Sequence, residues 1–198
     1  MMLILASKSS SRRAMLENAG VEIECLPANV DEAAIKDSLI AEGTSPRNLV
    51  DALADAKARR VSNRVPGAMV LGADSLVVTA DGHYLDKPET PDNAKAHLAM
   101  LSDSTHSLLS AAVIYEDGNP IWRHIDIAKM TMRPLSGTFI EDYVSENWNN
   151  IRHCVGCYEI EGPGAQLFAR ILGSQFTIMG LPLLHLLDYL RIRKVMPS

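Results

Sequence analysis

Short apolar runs alternate with capped helical segments from one end of this sequence to the other. Leu3-Ile4-Leu5-Ala6 reads as a strand, and a serine-rich turn, Ser7-Lys8-Ser9-Ser10-Ser11, follows it. A helix over about residues 12–19 stops at Gly20, a residue suited to the left-handed position past a helix end. Val21 to Leu26 is apolar enough for a second strand. Ser45-Pro46 sets an N-cap before proline at the first helical position, and Leu49, Val50, Leu53, Lys57 and Val61 then recur near a 3.6-residue period. The unbroken run Ala68-Met69-Val70-Leu71-Gly72-Ala73 predicts a buried strand that breaks at Asp74 and resumes through Leu76-Val77-Val78. Asp81-Gly82 signals a hairpin. Thr90-Pro91 opens a helix to about Leu101, and Ser136 caps another to about Trp148. Between them, His106 to Tyr115 and Ile121 to Met132 read as paired strands. Tyr158 to Gly164 reads as a strand and glycine-rich turn, Gln166 to Ile171 as a strand, and Gly180-Leu181-Pro182 opens a C-terminal helix. This order, with long hairpins in it, predicts an α/β fold with a mixed sheet rather than a purely parallel one. The expected arrangement is a single domain over residues 1–198, an elongated mixed sheet flanked by helices with a central cleft for substrate.

Charge narrows the partners. Nineteen basic against 24 acidic residues leave a net charge of −5. A general nucleic-acid binder is usually basic, so neither nucleic acid nor a membrane surface is the expected partner, and an anionic ligand requires a local cluster of positive charge. The opening apolar run is too short for a signal peptide, and the charge-free stretch from Ile171 to Leu187 is interrupted by Gly173, Ser174, Gln175, Gly180, Pro182 and His185, so a cytoplasmic location is expected. Three cysteines, Cys25, Cys154 and Cys157, argue against a disulfide framework.

The first turn carries the most chemistry. Four serines and Lys8 lie between a strand and a helix, and Arg12 and Arg13 fall in the first helical turn. The positive end of the helix dipole disfavours arginine there. An anion held by exposed N–H groups, hydroxyls and a guanidinium would resolve that conflict; a solvated turn with arginines reaching outward is the alternative. No Walker pattern, no Gly-x-Gly-x-x-Gly and no Gly-x-Ser-x-Gly elbow is present. Asp74 sits where a buried strand is expected to end and reads either as a functional carboxylate or as a turn cap. Asp31 and Glu32 fit an N-cap and a first-turn acid of a further helix. Lys57 and Lys87 read individually as snorkelling lysines. His153-Cys154-Val155-Gly156-Cys157 lacks the fourth ligand of a structural zinc site, and no histidine begins a His-x-Glu deaminase motif, so buried small residues are the expected role of the cysteine pair.

Taken together, these segments resemble the Maf family of nucleotide pyrophosphatases, the septum-formation-inhibitor-like proteins. The resemblance runs through Ser7-Lys8-Ser9-Ser10-Ser11-Arg12, Val30-Asp31-Glu32, Ala56-Lys57-Ala58, Gly72-Ala73-Asp74-Ser75, Asp86-Lys87-Pro88, Glu161-Gly162 and Gly180-Leu181-Pro182-Leu183, in order and nearly end to end. Asn150-Ile151-Arg152-His153-Cys154 looks closer to the 7-methyl-GTP branch than to the dTTP/UTP branch.

The resemblance implies hydrolysis of a nucleoside triphosphate to the monophosphate and pyrophosphate, with Mg²⁺ or Mn²⁺. It implies Asp74 as the base acting on water, Glu32 and Asp74 as metal ligands, and Ser7, Ser9, Arg12, Lys57 and Lys87 as phosphate ligands. Departures from the family fall at Ser11 and Ser75, which with Glu161 are expected to bear on the base. Glu161 is acceptor-only and suits the two adjacent donors of a guanine edge. A nucleotide-binding regulator of cell division with little turnover is the second reading; the assembly is open between a monomer and a homodimer.

Overall fold

The computed structural model describes residues 2–197; Met1 and Ser198 lie outside them. In chain order the elements are β1 (Leu3–Leu5), α1 (Ser10–Asn18), β2 (Ile23–Cys25), α2 (Glu32–Ala41), α3 (Pro46–Ser62), β3 (Met69–Val78), β4 (Tyr84–Leu85), α4 (Pro91–Leu101), β5 (Thr105–Glu116), β6 (Asn119–Met132), α5 (Gly137–Ile151), β7 (Phe168–Leu172), α6 (Gln175–Ile178) and α7 (Leu183–Ile192). The strands form one mixed sheet in the order β2-β1-β3-β5-β6-β7, with β4 on β3. β1 runs parallel to β2 and β3, while β3–β4 and β6–β7 are antiparallel. The α/β class with a mixed sheet is therefore the observed one.

The chain folds as two compact units. One takes in the chain up to Ser75, Ser110–Asp126 and the chain from Gly180 onward; the other comprises Leu76–Leu109 and Ile127–Met179. In the first, Leu3, Leu5, Leu16, Leu49 and Leu71 are fully buried. A smaller cluster of Ile4, Ala6, Ala28, Val61 and Val70 packs α3, through Val61, against β1 and β3. In the second, Leu98, Leu101, Leu108, Met130, Met132 and Tyr143 form the centre of the core.

Caps set the helix starts. Ser9, Asp31, Ser45, Thr90 and Ser136 each accept a backbone N–H from the residue three on. Two sequence expectations need correction. β3 does not break at Asp74 but runs through it to Val78. Aspartate is poor in strands, yet here its carboxylate is met by a buried ammonium, and that tertiary pairing overrides local propensity. Residues 158–162 form no strand; they lead into a 3₁₀ turn, Pro163–Leu167, which packs so closely that a Cβ at Gly164 would lie 2.5 Å from the Glu159 carbonyl oxygen. The hairpin at Asp81-Gly82 forms as read, with Gly82 at φ +89° and Thr79 and His83 closing it.

Candidate active site

The serine-rich turn builds a cationic nest at the start of α1. Ser9 is the N-cap, its hydroxyl accepting the Arg12 N–H at 3.3 Å. Ser7 Oγ accepts the Ser9 N–H at 3.1 Å and, at a long 3.5 Å, an N–H of the Arg12 guanidinium. The helix has no acid in its first turn to complement the dipole. The two arginines separate: Arg13 is exposed and pairs with Glu17 at 2.8 Å, as a solvated residue does. Arg12 folds inward and is only 9% exposed. Its Nε donates to the Gly180 carbonyl at 2.8 Å and its Nη2 to Ser75 Oγ at 2.9 Å. Every hydrogen-bonding partner of this buried guanidinium among the described residues is a neutral oxygen. Burial pulls its pKa below the ordinary value, and the charges of Asp74 and Glu32 oppose that shift. Arginine nevertheless stays charged, so the first unit holds a buried cation without a hydrogen-bonded counter-ion among the described residues.

Lys57 is the second cation. The apolar face of α3 buries it between Ala54 and Ala58, and its Nζ lies 2.6 Å from Asp74 Oδ1 and 2.9 Å from Glu32 Oε2. Asp74 reaches it from β3, and Glu32 from the first residue of α2, where Asp31 caps Ala34 at 3.0 Å. The Asp74 side chain is 13% exposed and that of Glu32 54%, so the Asp74 contact is the less screened half of this three-charge cluster. Gly72 makes the approach of α3 to β3 possible. A Cβ there would overlap the Ala54 carbonyl oxygen and lie 2.6 Å from Ala58 N. Ser11, half-buried at the second position of α1, completes the expected residues of this unit.

In the second unit, Lys87 is exposed just before the buried Pro88, and Glu161 is exposed ahead of the 3₁₀ turn. Both lie within electrostatic range of Cys154, together with Glu159. Burial, then the neighbouring Glu161, raises the Glu159 pKa above the usual carboxylate range. The Cys154 and Cys157 thiols are pushed up to about 12, burial being the main cause. Such thiols are inert as nucleophiles or soft ligands at neutral pH. No group of three or more His, Cys, Asp or Glu side chains among the described residues is arranged to hold a metal ion.

The structure thus brings Ser7, Ser9, Arg12, Glu32, Lys57, Asp74 and Ser75 together in one unit, while Lys87 and Glu161 lie in the other, both within electrostatic range of Cys154. Sequence reading missed Ser110, whose hydroxyl lies 2.9 Å from Ser75 Oγ, and the Gly180 carbonyl on Arg12. The signal for Ser110 was a lone hydroxyl inside the apolar run Leu108-Leu109-Ser110-Ala111-Ala112. It also missed Glu159, two residues from Glu161.

Comparison with known proteins meets this arrangement. A family model described as Maf-like protein matches residues 2–193. A "Nucleoside triphosphate pyrophosphatase" of Sphingopyxis alaskensis is 53% identical over 198 residues, covering 100% of both chains. A protein of the same name from Hyphomonas neptunium is 50% identical, covering 98% of this chain and 97% of its own. A "7-methyl-GTP pyrophosphatase" of Mesorhizobium japonicum is 48% identical, covering 96% of this chain and 94% of its own. With a family match over nearly every residue, and relatives near half identity along their full length, this chain belongs to the Maf-like protein family.

Proposed function

We propose that this protein hydrolyses a nucleoside triphosphate to the monophosphate and pyrophosphate. The observation that carries the reading is Arg12: a buried guanidinium, held only by neutral oxygens, at a serine-capped helix start beside the Lys57–Asp74 pair. An oligophosphate supplies the hydrogen-bonded anion that Arg12 lacks among the described residues, and a helix N-terminus with serine hydroxyls is suited to its oxygens. The names of the relatives agree with it.

The chemistry follows from these groups. Water attacks the α-phosphorus, the bond from that phosphorus to the α,β-bridging oxygen breaks, and pyrophosphate leaves with that oxygen. Asp74 takes the proton of the attacking water. Lys57 holds the Asp74 carboxylate in place, and Arg12 and Lys57 stabilise the charge that grows on the phosphate oxygens. Glu32 and Asp74 are hard carboxylates converging on one ammonium. They are the residues that would hold Mg²⁺ or Mn²⁺, an ion suited to one or two carboxylates and substrate oxygens. Such an ion neutralises phosphate charge.

For the base, Glu161 with Glu159 beside it offers an acceptor-only edge. That favours guanine-type nucleotides, and the positive ring of 7-methylguanine further suits two carboxylates. Ser11 is read as a further determinant of base choice. A panel of GTP, 7-methyl-GTP, UTP and dTTP with Mg²⁺ or Mn²⁺, scored for phosphate and for pyrophosphate, tests both levels. Release of pyrophosphate with a guanine preference is expected. Release of single phosphate defeats the reaction, and binding without turnover would restore the regulator. A pyrimidine preference unchanged by Glu161→Gln removes Glu161 from base recognition.

A further inference from the structure

The Arg12 guanidinium has five N–H donors, of which the described residues take three. Nε is taken by Gly180, one N–H of Nη2 by Ser75 and one of Nη1, weakly, by Ser7, which leaves one N–H on each terminal nitrogen. Ser75 is backed in turn by Ser110 at 2.9 Å, a residue with no exposed surface. Gly180 stands at φ +109°, in the left-handed half of backbone space where side chains are strained. A Cβ there would lie 3.2 Å from Arg12 Nε and 3.3 Å from Ser75 Oγ. Only glycine both aims this carbonyl at Nε and leaves room for the guanidinium.

We infer that Ser110 and Gly180 are positioning residues which, with Ser75, lock the Arg12 guanidinium in the orientation that presents its remaining donors to the triphosphate. The choice of neutral oxygens has a physical reason. A carboxylate in any of these places would hold the guanidinium as firmly but would neutralise the charge the phosphates need. A carbonyl and a backed hydroxyl fix the fork and leave its charge available. The Gly180-Leu181-Pro182 motif, which the reaction itself does not use, thereby acquires a role at the far end of the chain from Arg12. This inference rests on Arg12 being a phosphate ligand.

The test is a double-mutant cycle on the full-length protein. Ser110→Ala and Gly180→Ala are each made alone and on an Arg12→Ala background. kcat and KM are measured for the best nucleotide, and the Kd is measured for an α,β-methylene guanosine triphosphate that cannot be cleaved. Each single variant is expected to lose about tenfold in probe affinity and in kcat/KM, the scale of one hydrogen bond to a charged group. On the Arg12→Ala background the same changes are expected to cost less than about twofold. Equal losses on both backgrounds would mean general destabilisation and overturn the inference. Should Gly180→Ala fail to fold, Ser75 decides. Ser75→Thr keeps the hydroxyl and is expected to retain activity, whereas Ser75→Ala is not; identical behaviour of the two also overturns it. A wild-type protein that binds the probe but cleaves no triphosphate defeats the proposed reaction, and the cycle in Kd still decides this inference. Absence of probe binding by the wild type defeats both.

Discussion

Replacing Gly72 by alanine adds one methyl group between β3 and α3, two residues from Asp74 and against the turn of α3 that carries Lys57. The new Cβ would overlap the Ala54 carbonyl oxygen and lie 2.6 Å from Ala58 N and 2.8 Å from Ala58 Cβ. All three atoms belong to a helix whose apolar face is already buried, so no flexible side chain can swing away. Restoring ordinary contact requires α3 to retreat by about 1 Å, a backbone shift at the upper end of the 1–3 kcal/mol range for overpacking. Alanine returns about 0.5–1 kcal/mol by restricting the unfolded chain. A net loss of about 2 kcal/mol corresponds to a fall in Tm of about 4–8 °C for a chain of this size. The retreat also draws Lys57 from Asp74, and misplacement on the order of 1 Å in a catalytic group costs about a hundredfold in turnover. Calorimetry and pyrophosphate release are measured on the same preparation, with Gly137→Ala as control. Gly137 opens α5 with no atom within 4 Å of the place its new methyl group would take, and the Tm of that variant is expected to hold within about 2 °C. A Gly72→Ala protein with unchanged Tm and full turnover would refute the argument that close packing here sets the site.

Asp74→Asn is expected to lower turnover by roughly two to four orders of magnitude while nucleotide binding persists; near-normal turnover would reduce Asp74 to a partner of Lys57. Cys154→Ser with Cys157→Ser is expected to leave activity and metal dependence intact, and the native thiols should react slowly with iodoacetamide at pH 7. Stoichiometric zinc lost in the double variant would show otherwise. Burial holds His106 neutral, with its pKa lowered to about 4. The unfolded chain binds that proton more readily, so this group costs stability progressively as pH falls from about 6.5 towards 4, by at most about 1.4 kcal/mol per pH unit. The urea midpoint is expected to drop between pH 7 and pH 5 in the wild type and to drop less in His106→Gln; equal drops refute the assignment.

Helix starts were legible because capping is local: Ser45-Pro46 and Thr90-Pro91 open α3 and α4 where the sequence places them. The passage of β3 through Asp74 was not, because the ammonium that satisfies the aspartate arrives from a helix 17 residues away. The short helix α6 and the two-residue strand β4 carry too few residues for any periodicity to register. At the site, residue types marked the serine-rich turn for attention, but nothing local distinguished Arg12 from Arg13. Their opposite fates depend on an inward carbonyl and hydroxyl contributed from far along the chain.

The hydrogen bond from Arg12 to Gly180 joins residues 168 positions apart. A ribosome adding about 5–20 residues per second needs roughly ten to thirty seconds to travel that distance. Throughout that interval the nascent chain has made its cationic turn but not the carbonyl that fixes it, and the strand segment carrying Ser110 emerges only partway through. Neither compact unit is one continuous stretch of sequence, so no truncation at a single point yields the first unit whole. A product terminated before Gly180 lacks the carbonyl that holds the Arg12 guanidinium.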